Sequence, residues 1–492
     1  MDKRIARLGA FLLVCYAALF GMLNYIQVFK AESLNDNPEN RRAILRDFSG
    51  PRGTIETADG VVVARSVEVD DEFERQREYP AADLFAQITG YFSFAAGATG
   101  VERHYNDELA GQTAEQQLEG FADAFVDREQ VGNIVLTLRN DLQELARDQL
   151  AGRCGSVVVL DPRTGGILAM YSHPSYDPNA LASHDLDAVS DALQFANETR
   201  ECRFPPRSPL VPAAYREVFF PGSTMKVVVA GIGVESGRVT PEEPNYPSES
   251  SFTPPQTTRP LSNFGGNTCG GTLFEIVAQS CDTAFARMGV ETLGPELMID
   301  GTQNWGFNQR PPIDLSPGAV ASNFPTDFDQ NLPALAQSSI GQNDVQTTPL
   351  QMALVAAGVA NGGVIMEPHV VHEIRDDEGE VVDEENTTAW QQPMSAQSAS
   401  LIRQSMIGVI QGGTGEGLGL PGLEVGAKTG TAQLGTTPPS SHTWFISFAG
   451  PPGGEPEVAV AVIIEGQEGV SEVTGAELAG PVAQTMMQAA LD

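Results

Sequence analysis

The sequence predicts an α+β fold in which one antiparallel sheet is flanked by helices. Three observations lead to this prediction. A β-hairpin pattern begins near residue 155, a mainly helical stretch follows, and three strand-like runs precede a last helix. Two strands before and three strands after a helical middle favour a single sheet that collects both groups. An extended N-terminal region and an apolar segment precede this domain.

The N-terminus is predicted to be a membrane anchor. Lys3, Arg4 and Arg7 precede an apolar run over residues 8–29. About 22 residues at roughly 1.5 Å each are enough to span a hydrocarbon layer of about 30 Å. The basic residues predict a cytoplasmic tail over residues 1–7 and an extracytoplasmic location for the remaining chain at the cell membrane. A cleavable signal peptide is the alternative, although no small-x-small cleavage site follows the run.

The balance of charge argues against two classes of partner. The 492 residues include 29 basic and 64 acidic side chains, which give a formal net charge of -35. So negative a chain argues against nucleic-acid binding and against electrostatic docking on anionic lipid. Lysine occurs only at positions 3, 30, 226 and 428, while arginine supplies the other cations. Because lysine loses its proton far more readily than arginine, Lys226 and Lys428 are candidates for chemistry.

Two regions are predicted after the anchor. Residues 30–150 are rich in Asp, Glu, Arg and Gln without a catalytic cluster, which indicates a pedestal domain. Residues 151–492 are predicted to form the α+β domain. This domain opens with strands at Gly155–Leu160 and Gly166–Tyr171, joined by the turn signal Pro162–Gly165.

The middle of the α+β domain is predicted to be helical. Thr272 and Glu275 form a capping-box pattern that opens a helix running to about Met288. Thr348 followed by Pro349 opens another helix. The remaining predicted elements are a loop over residues 241–260, strands at Gly426–Gln433, Thr443–Ala449 and Val458–Ile464, and a helix at Ala476–Leu491 that contains or begins at Pro481.

Four cysteines follow the anchor, where disulfides can persist. Cys154, Cys202, Cys269 and Cys281 allow three pairings. The bridge Cys269–Cys281 is the first choice because these two are closest in sequence. Free buried thiols are the alternative.

A serine and a lysine one helical turn apart form the clearest catalytic signal. Ser223 stands at the start of a predicted helix and Lys226 follows three residues later, so both side chains lie on one face. A neutral lysine amine can take the hydroxyl proton and make the serine a nucleophile. The helix N-terminus favours the negative charge that develops. The alternative is a surface helix start with a solvated lysine.

The other extracytoplasmic lysine lies on the first terminal strand, in the run Lys428–Thr431. Lys428 and the hydroxyl groups of Thr429 and Thr431 suit a substrate carboxylate. Gly430 removes a side chain where a ligand could lie against the strand edge. The alternative is an exposed strand residue.

These two runs resemble the first and third motifs of penicillin-binding proteins and serine β-lactamases. Residues 155–179 and 340–353 are similar to the transpeptidase domain of class B penicillin-binding proteins. The pedestal segments Arg52–Ile55 and Gly100–Glu102 are similar to the N-terminal region of that class. The resemblance therefore covers nearly the whole chain, and the short actinobacterial type without extra C-terminal modules fits best.

The second motif of that family, Ser-x-Asn, is matched by Ser280-Cys281-Asp282, inside the predicted helix. The aspartate departs from the family pattern. An amide donates and accepts hydrogen bonds, whereas an ionised carboxylate only accepts them. An ionised Asp282 beside Lys226 would raise the pKa of the lysine and weaken it as a base. A protonated Asp282, a slow enzyme and an inactive protein are the three open outcomes.

The resemblance implies a DD-transpeptidase that cross-links peptidoglycan stem peptides ending in D-Ala-D-Ala and is inhibited by β-lactams. It implies no cofactor, and a membrane glycosyltransferase of the shape, elongation, division and sporulation family as partner. The close pair His369 and His372 is interpreted as solvated rather than as a metal site. The implied roles are an acylated Ser223, an activating Lys226, a proton relay through Ser280, substrate binding by Asp282, Lys428, Thr429, Gly430 and Thr431, and an oxyanion hole from the backbone N–H groups of Ser223 and Thr431.

Two alternative functions stay open. A DD-carboxypeptidase or β-lactamase could use the same fold, but no Glu-x-x-Leu-Asn run lies between Asp282 and Lys428 to activate a deacylating water. A weakly active or non-catalytic scaffold of a wall-synthesis complex is the other alternative, and Asp282 is its best support. A penicillin sensor is excluded because about seven cytoplasmic residues cannot form a signalling domain.

Overall fold

The structure, a computed structural model, describes residues 3–25, 48–113, 116, 131–199, 202, 206–328, 330–437, 439–466 and 473–492. These residues divide into two units. One unit is Met1–Pro51 with Val67–Gln76, and the other is Arg52–Ser66 with Arg77–Asp492. All predicted site residues belong to the second unit.

The N-terminal apolar run forms the helix Lys3–Tyr25. Large apolar side chains such as Leu13 and Phe20 are exposed on this helix. The end of the predicted anchor, residues 26–29, lies outside the described residues. Within the part of the chain that the structure describes, no helix combines the length and the apolar character needed to cross a membrane. The anchor therefore stays a prediction.

The central sheet joins the early and the late strands of the α+β domain, as the sequence predicted. Each neighbouring pair is antiparallel. The three inner strands of this sheet, Ser441–Gly450, Val458–Ile464 and Gly155–Leu160, are buried at every position, so both faces of the sheet are covered. Its strands, in spatial order, are Glu424–Gln433, Ser441–Gly450, Val458–Ile464, Gly155–Leu160 and Ile167–His173, and the helices Asn140–Leu150, Pro349–Ala360, Ala396–Gly412 and Gly475–Leu491 pack against them.

The strand that carries Lys428 therefore lies at the edge of the central sheet. The helix Pro349–Ala360 is buried at every position beneath the sheet and begins at the predicted N-cap, where the Thr348 hydroxyl accepts a hydrogen bond from the Gln351 backbone. The last helix begins at Gly475 with Pro481 in its interior, so the proline does not mark its start. These elements fix the edge strand against a rigid core.

A six-stranded sheet lies in the pedestal region, and it includes two strands from the later part of the chain. Its strands, in spatial order, are Val381–Glu384, Val371–Arg375, Asn133–Leu136, Ile55–Glu56, Val62–Glu68 and Arg75–Glu78. The sheet therefore takes strands from both sides of the boundary predicted near residue 150, and the boundary itself stays a prediction. The pedestal segments Arg52–Ile55 and Gly100–Glu102 meet in one buried ion pair, because the Arg52 guanidinium donates to the Glu102 carboxylate.

The single helix predicted from Thr272 is wrong. The capping box is present, but the first helix spans only Leu273–Ala278, and a second helix, Asp282–Arg287, begins after a turn. Ser280 has a φ of 56°, a left-handed conformation that ends a helix. The Ser280–Asp282 motif therefore lies at a helix break and not inside a helix.

Two disulfides join the four cysteines that follow the predicted anchor. Cys269 pairs with Cys281, which confirms the first choice, and Cys154 pairs with Cys202. Cys269 belongs to a short strand that pairs with Tyr246–Glu249. Because Cys281 directly follows Ser280, the first bridge ties the helix break to that strand.

Two smaller predictions are also wrong. The segment predicted as a loop over residues 241–260 contains the strands Tyr246–Glu249 and Ser251–Phe252. Of the two histidines predicted to be solvated, His372 is exposed, but His369 is buried and its Nδ1 lies 3.2 Å from the carbonyl oxygen of Glu367. The other described strands are Phe92–Ser93, Gly97–Ala98, Leu261–Ser262, Cys269–Gly271, Ile365–Met366 and Ala389–Gln391. The other described helices and helical turns are Ala82–Leu84, Ala86–Thr89, Gly100–His104, Asn106–Leu109, Pro178–Ala182, Leu186–Glu198, Ala213–Arg216, Gly222–Thr224, Met225–Glu235, Phe264–Gly266, Met288–Leu293, Gly294–Asn304 and Leu332–Ser338.

Candidate active site

The nucleophile candidate stands on a tight helical turn. Gly222–Thr224 forms one 3₁₀ turn that leads into the buried helix Met225–Glu235. Gly222 has a φ of 53°, and a Cβ at this position would lie 2.8 Å from the carbonyl oxygen of Thr431. Glycine is therefore required for the turn to approach the edge strand. This approach brings Ser223 to the strand that carries the third motif.

Lys226 lies one turn after Ser223, as the spacing predicts. Its Nζ is 3.0 Å from the Ser223 Oγ. The side chain of Lys226 is fully buried, whereas Ser223 is partly exposed. The predicted pair is thus in direct contact, with the hydroxyl group at the surface of a cleft and the amine behind it.

At the helix break, Ser280 presents two oxygen atoms to the two lysines. The Ser280 carbonyl oxygen accepts a hydrogen bond from the Lys226 Nζ at 2.7 Å, which is possible because the left-handed Ser280 ends the preceding helix. The Ser280 Oγ lies 2.7 Å from the Lys428 Nζ and 3.3 Å from the Lys226 Nζ. Ser280 therefore connects the first and the third motif.

Asp282 forms an ion pair with Lys226. Its Oδ1 lies 2.6 Å from the Lys226 Nζ, and its Oδ2 accepts a hydrogen bond from the Phe264 backbone N–H at 3.1 Å. The side chain of Asp282 is 14% exposed, and that of Lys226 is 0% exposed. The carboxylate thus lies between the buried amine and the cleft.

Burial sets the direction of both lysine pKa values. Burial lowers the pKa of Lys226, and the charge and hydrogen bond of Asp282 oppose this effect without reversing it. The pKa of Lys428 lies well below its ordinary value because of burial and the nearby charge of Lys226, while Asp282 opposes both. The expectation that Asp282 raises the pKa of Lys226 is confirmed for the contribution of Asp282, but burial is the larger effect and makes the net shift downward.

The third motif lies along the edge strand, where Lys428 is also fully buried. The Thr429 Oγ1 lies 2.7 Å from the Thr414 Oγ1. A Cβ on Gly430 would lie 2.9 Å from the Thr224 Cγ2 and 3.1 Å from the Pro221 carbonyl oxygen. The missing side chain of Gly430 therefore makes room for the nucleophile turn of the protein itself, and a contact with substrate stays a prediction.

A cleft of about 1340 Å³ lies over these residues. Its floor includes the three hydroxyl groups of Ser223, Ser280 and Thr429, together with Asp282 and Thr431. Both lysines lie beneath this floor and not on it. The arrangement can therefore hold an extended molecule against the edge strand while Ser223 attacks it.

The sequence did not identify several residues that complete the site. The Asn263 Oδ1 accepts a hydrogen bond from the Thr283 backbone and fixes the start of the second helix. Trp444 donates a hydrogen bond from Nε1 to the Phe220 carbonyl oxygen and holds the nucleophile segment on the sheet. The ring of Phe285 lies 5.7 Å from the Lys226 Nζ. None of these residues belongs to a recognisable motif, so the sequence carries no signal for them.

The geometry defines a serine acyl-transfer site with two lysines. A family model described as the penicillin binding protein transpeptidase domain matches residues 155–488, and a second, the penicillin binding protein A dimerisation domain, matches residues 52–135. The chain belongs to the penicillin-binding protein transpeptidase family.

Relatives in two mycobacteria extend over the full length of the chain. It is 36% identical to the peptidoglycan D,D-transpeptidase PbpA of Mycolicibacterium smegmatis, covering 100% of this chain and 99% of that protein. It is 33% identical to PbpA of Mycobacterium tuberculosis, with the same coverage. The imipenem acyl-enzyme complex of penicillin-binding protein A from M. tuberculosis superimposes with a TM-score of 0.81 at 32% identity, covering 91% of this chain and 100% of that chain.

Proposed function

We propose that the protein is a peptidoglycan DD-transpeptidase whose Ser223 is acylated by stem peptides ending in D-Ala-D-Ala. The observation that carries this proposal is the direct chain of contacts from the Ser223 Oγ to Lys226, from Lys226 to Ser280, and from Ser280 to Lys428. A nucleophile with an adjacent base and a second group that orients the base is the arrangement that serine acyl transfer requires. The family membership and the named relatives support the same reaction.

The reaction proceeds in two steps. Ser223 Oγ attacks the carbonyl carbon of the penultimate D-alanine, its proton passes to a neutral Lys226, and the backbone N–H groups of Ser223 and Thr431 stabilise the oxyanion. Lys226 passes a proton to Ser280, which delivers its own proton to the leaving D-alanine. An acceptor amine then attacks the acyl-enzyme and forms the cross-link, which regenerates the Ser223 hydroxyl group.

Substrate binding is assigned to the edge strand. Thr429 and Thr431 border the cleft with Ser223, so their hydroxyl groups can hold the terminal carboxylate of the donor peptide. Lys428, buried behind them, provides the positive charge. A β-lactam carries a carboxylate beside its reactive carbonyl and would occupy the same positions.

Labelled penicillin tests this proposal. The wild-type protein is expected to retain one label per chain as a long-lived acyl-enzyme, and Ser223→Ala is expected to retain none. Rapid release of hydrolysed penicillin would instead support the hydrolase alternative. A protein that no β-lactam acylates would support the scaffold alternative, which Asp282 favours because it departs from the family pattern.

The cellular setting is part of the same proposal. We infer a single-pass protein of the cell membrane, with residues 1–7 cytoplasmic and the catalytic domain outside. Support comes from the three basic residues ahead of the apolar run and from the exposed apolar side chains along the helix Lys3–Tyr25. A membrane glycosyltransferase of the shape, elongation, division and sporulation family is the proposed partner. Membrane fractionation and co-purification from native membranes test both statements.

A further inference from the structure

The active site contains three ionisable side chains, two lysines and one aspartate. Lys226 comes from the helix Met225–Glu235, Asp282 from the helix Asp282–Arg287, and Lys428 from the edge strand. Besides burial, Asp282 influences the pKa of both lysines, and Lys226 also influences that of Lys428. The position of the protons among these three groups decides which lysine can serve as a base.

The surroundings of Lys226 are those of an ammonium group. Its Nζ has three oxygen atoms within 3.0 Å, from Asp282, the Ser280 carbonyl group and the Ser223 hydroxyl group. These three acceptors match the three N–H donors of an ammonium group. The Phe285 ring at 5.7 Å adds a cation–π contact, since such contacts extend to about 6 Å. Asp282 supplies the counter-charge.

The surroundings of Lys428 are those of a neutral amine. In the described part of the chain its Nζ has two partners, the Ser280 Oγ at 2.7 Å and the Thr429 carbonyl oxygen at 3.0 Å. Neither is a carboxylate, and the side chain is fully buried. A buried ammonium group without a paired anion is costly, and a second one near Lys226 would add repulsion.

We propose that Asp282 keeps the resting proton on Lys226 and leaves Lys428 neutral, and that a substrate carboxylate draws this proton to Lys428 through Ser280. Asp282 is then a positioning residue for the reaction, because it acts through Lys226. The directions of the pKa shifts agree. Burial lowers the pKa of both lysines, the charge of Lys226 further lowers that of Lys428, and Asp282 opposes the effect of burial at Lys226.

The proton transfer balances without any further reactant. The Ser280 hydroxyl group gives its proton to the Lys428 amine, and Ser280 takes one from the Lys226 ammonium group. The result is a neutral Lys226 in contact with Ser223 and a charged Lys428 beside the carboxylate. The second half of the inference rests on the proposed function, because it needs a substrate carboxylate at the edge strand. The resting protonation of the two lysines does not depend on the proposed function.

Lysine NMR on the full chain tests the resting state directly. Only four lysines occur, so selective ¹³C labelling at the ε carbon gives four signals that single Lys→Arg variants assign. In the detergent-solubilised wild-type protein, titration is expected to show Lys226 as an ammonium at a pH where Lys428 is already an amine. The reverse order would overturn the proposal, and this measurement needs no change at Asp282.

The variant Asp282→Asn tests whether the Asp282 carboxylate keeps the proton on Lys226. Loss of the carboxylate removes the contribution that raises the pKa of Lys226, so the Lys226 signal is expected to titrate roughly one to three pH units lower. The rising limb of penicillin acylation against pH should move to lower pH with it. Asp344→Asn is the matched control, because Asp344 is exposed next to Asn343 of the cleft and contacts neither lysine. An unchanged Lys226 titration in Asp282→Asn, or an equal change in the control, would overturn the assignment.

Acylation by penicillin G tests the proton transfer from Lys226 to Lys428. In the acyl-enzyme the Lys428 signal is expected to change to ammonium and the Lys226 signal to amine. Intact mass of the same sample reports whether acylation took place. Complete acylation with unchanged lysine signals would overturn the transfer while the proposed function stands. An absence of acylation would refute the proposed function, and the resting titration would still decide the position of the proton.

Discussion

Two buried clusters of ionisable side chains in this protein have a similar composition but differ in their ability to exchange protons. The arginine cluster of the pedestal region contains Arg52, Arg77 and Glu102, and the lysine cluster of the active site contains Lys226, Lys428 and Asp282. Each contains one carboxylate and two basic side chains. In the arginine cluster, Glu102 accepts from Arg52 at 2.7 Å and from Arg77 at 2.6 Å.

The difference lies in whether the cations can lose a proton. Arginine stays protonated, so Glu102 with its two partners can only fix the fold. Burial lowers the pKa of lysine, so the lysine cluster can exchange protons with the hydroxyl groups of Ser223 and Ser280. The type of basic side chain, more than burial or the number of charges, therefore separates the structural cluster from the catalytic one.

Replacement of the active-site Lys226 by arginine should produce the largest effect on activity. Lys226→Arg keeps the charge but removes the base, so the rate of penicillin acylation is expected to fall by about 10²- to 10⁴-fold. Stopped-flow or gel-based labelling measures this rate. Arg77→Lys is the matched control in the arginine cluster, and its folded fraction should be acylated at the wild-type rate. Equal losses in both variants would contradict the distinction between the clusters.

Removal of the carboxylate from the arginine cluster should mainly affect stability. Glu102→Gln leaves two buried guanidinium groups without their anion, and the free energy of unfolding is expected to fall by about 3–5 kcal/mol. Urea unfolding followed by circular dichroism measures the change. A loss below about 1 kcal/mol would show that the cluster is not a buried ion pair in solution.

The same cluster predicts a dependence on pH. Burial raises the pKa of Glu102, but Arg77 and Arg52 outweigh this effect, so the net shift is downward. A lowered pKa contributes stability that is present above the unfolded value of about 4.3 and lost as the pH falls through the folded value. The difference in stability between wild type and Glu102→Gln should therefore be constant near neutral pH and shrink on acidification below about pH 4. A difference that grows on acidification would contradict this sign.

Both disulfides are expected to stabilise the fold, but only one of them is expected to affect activity. Loop closure predicts a loss of about 4 kcal/mol for Cys154–Cys202, with 48 residues of separation, and about 3 kcal/mol for Cys269–Cys281, with 12. Paired Cys→Ala variants measure both by denaturant unfolding. Only the second pair is expected to slow penicillin acylation, because Cys281 is adjacent to Ser280. Slower acylation in the first pair alone would contradict the role assigned to the helix break.

An exposed ion pair in the pedestal should give the smallest effect. Arg65 and Glu78 lie 2.7 Å apart, but their side chains are 51% and 42% exposed. Glu78→Gln is therefore expected to change the free energy of unfolding by about 0–1 kcal/mol. Unfolding under the conditions used for Glu102→Gln makes the comparison direct. A loss similar to that of Glu102→Gln would mean that burial does not separate the two pairs.

The sequence predicted the elements whose local patterns are strong. The terminal strands, the helix capped by Thr348 and the contact between Ser223 and Lys226 follow from periodicity, capping and spacing within a few residues. The bridge Cys269–Cys281 followed from its short separation. Each of these features depends on neighbours in the chain, which a sequence displays directly.

Features that depend on tertiary contacts were not predictable. The capping box at Thr272 favours a helix, but nothing local shows that Ser280 adopts a left-handed conformation with its carbonyl group turned to Lys226. The pedestal sheet recruits Val371–Arg375 from far along the chain. The net pKa direction of Lys226 depends on complete burial, which no motif encodes.

Intact-mass measurement after incubation with penicillin G tests whether Ser223 is the acylated nucleophile. The wild-type chain is expected to gain the mass of one penicillin, and peptide mapping should place it on the peptide that contains Ser223. Ser223→Ala should gain no mass under the same conditions. An unmodified wild-type chain, or a label on a different residue, would contradict the assignment of Ser223 as the acylated nucleophile.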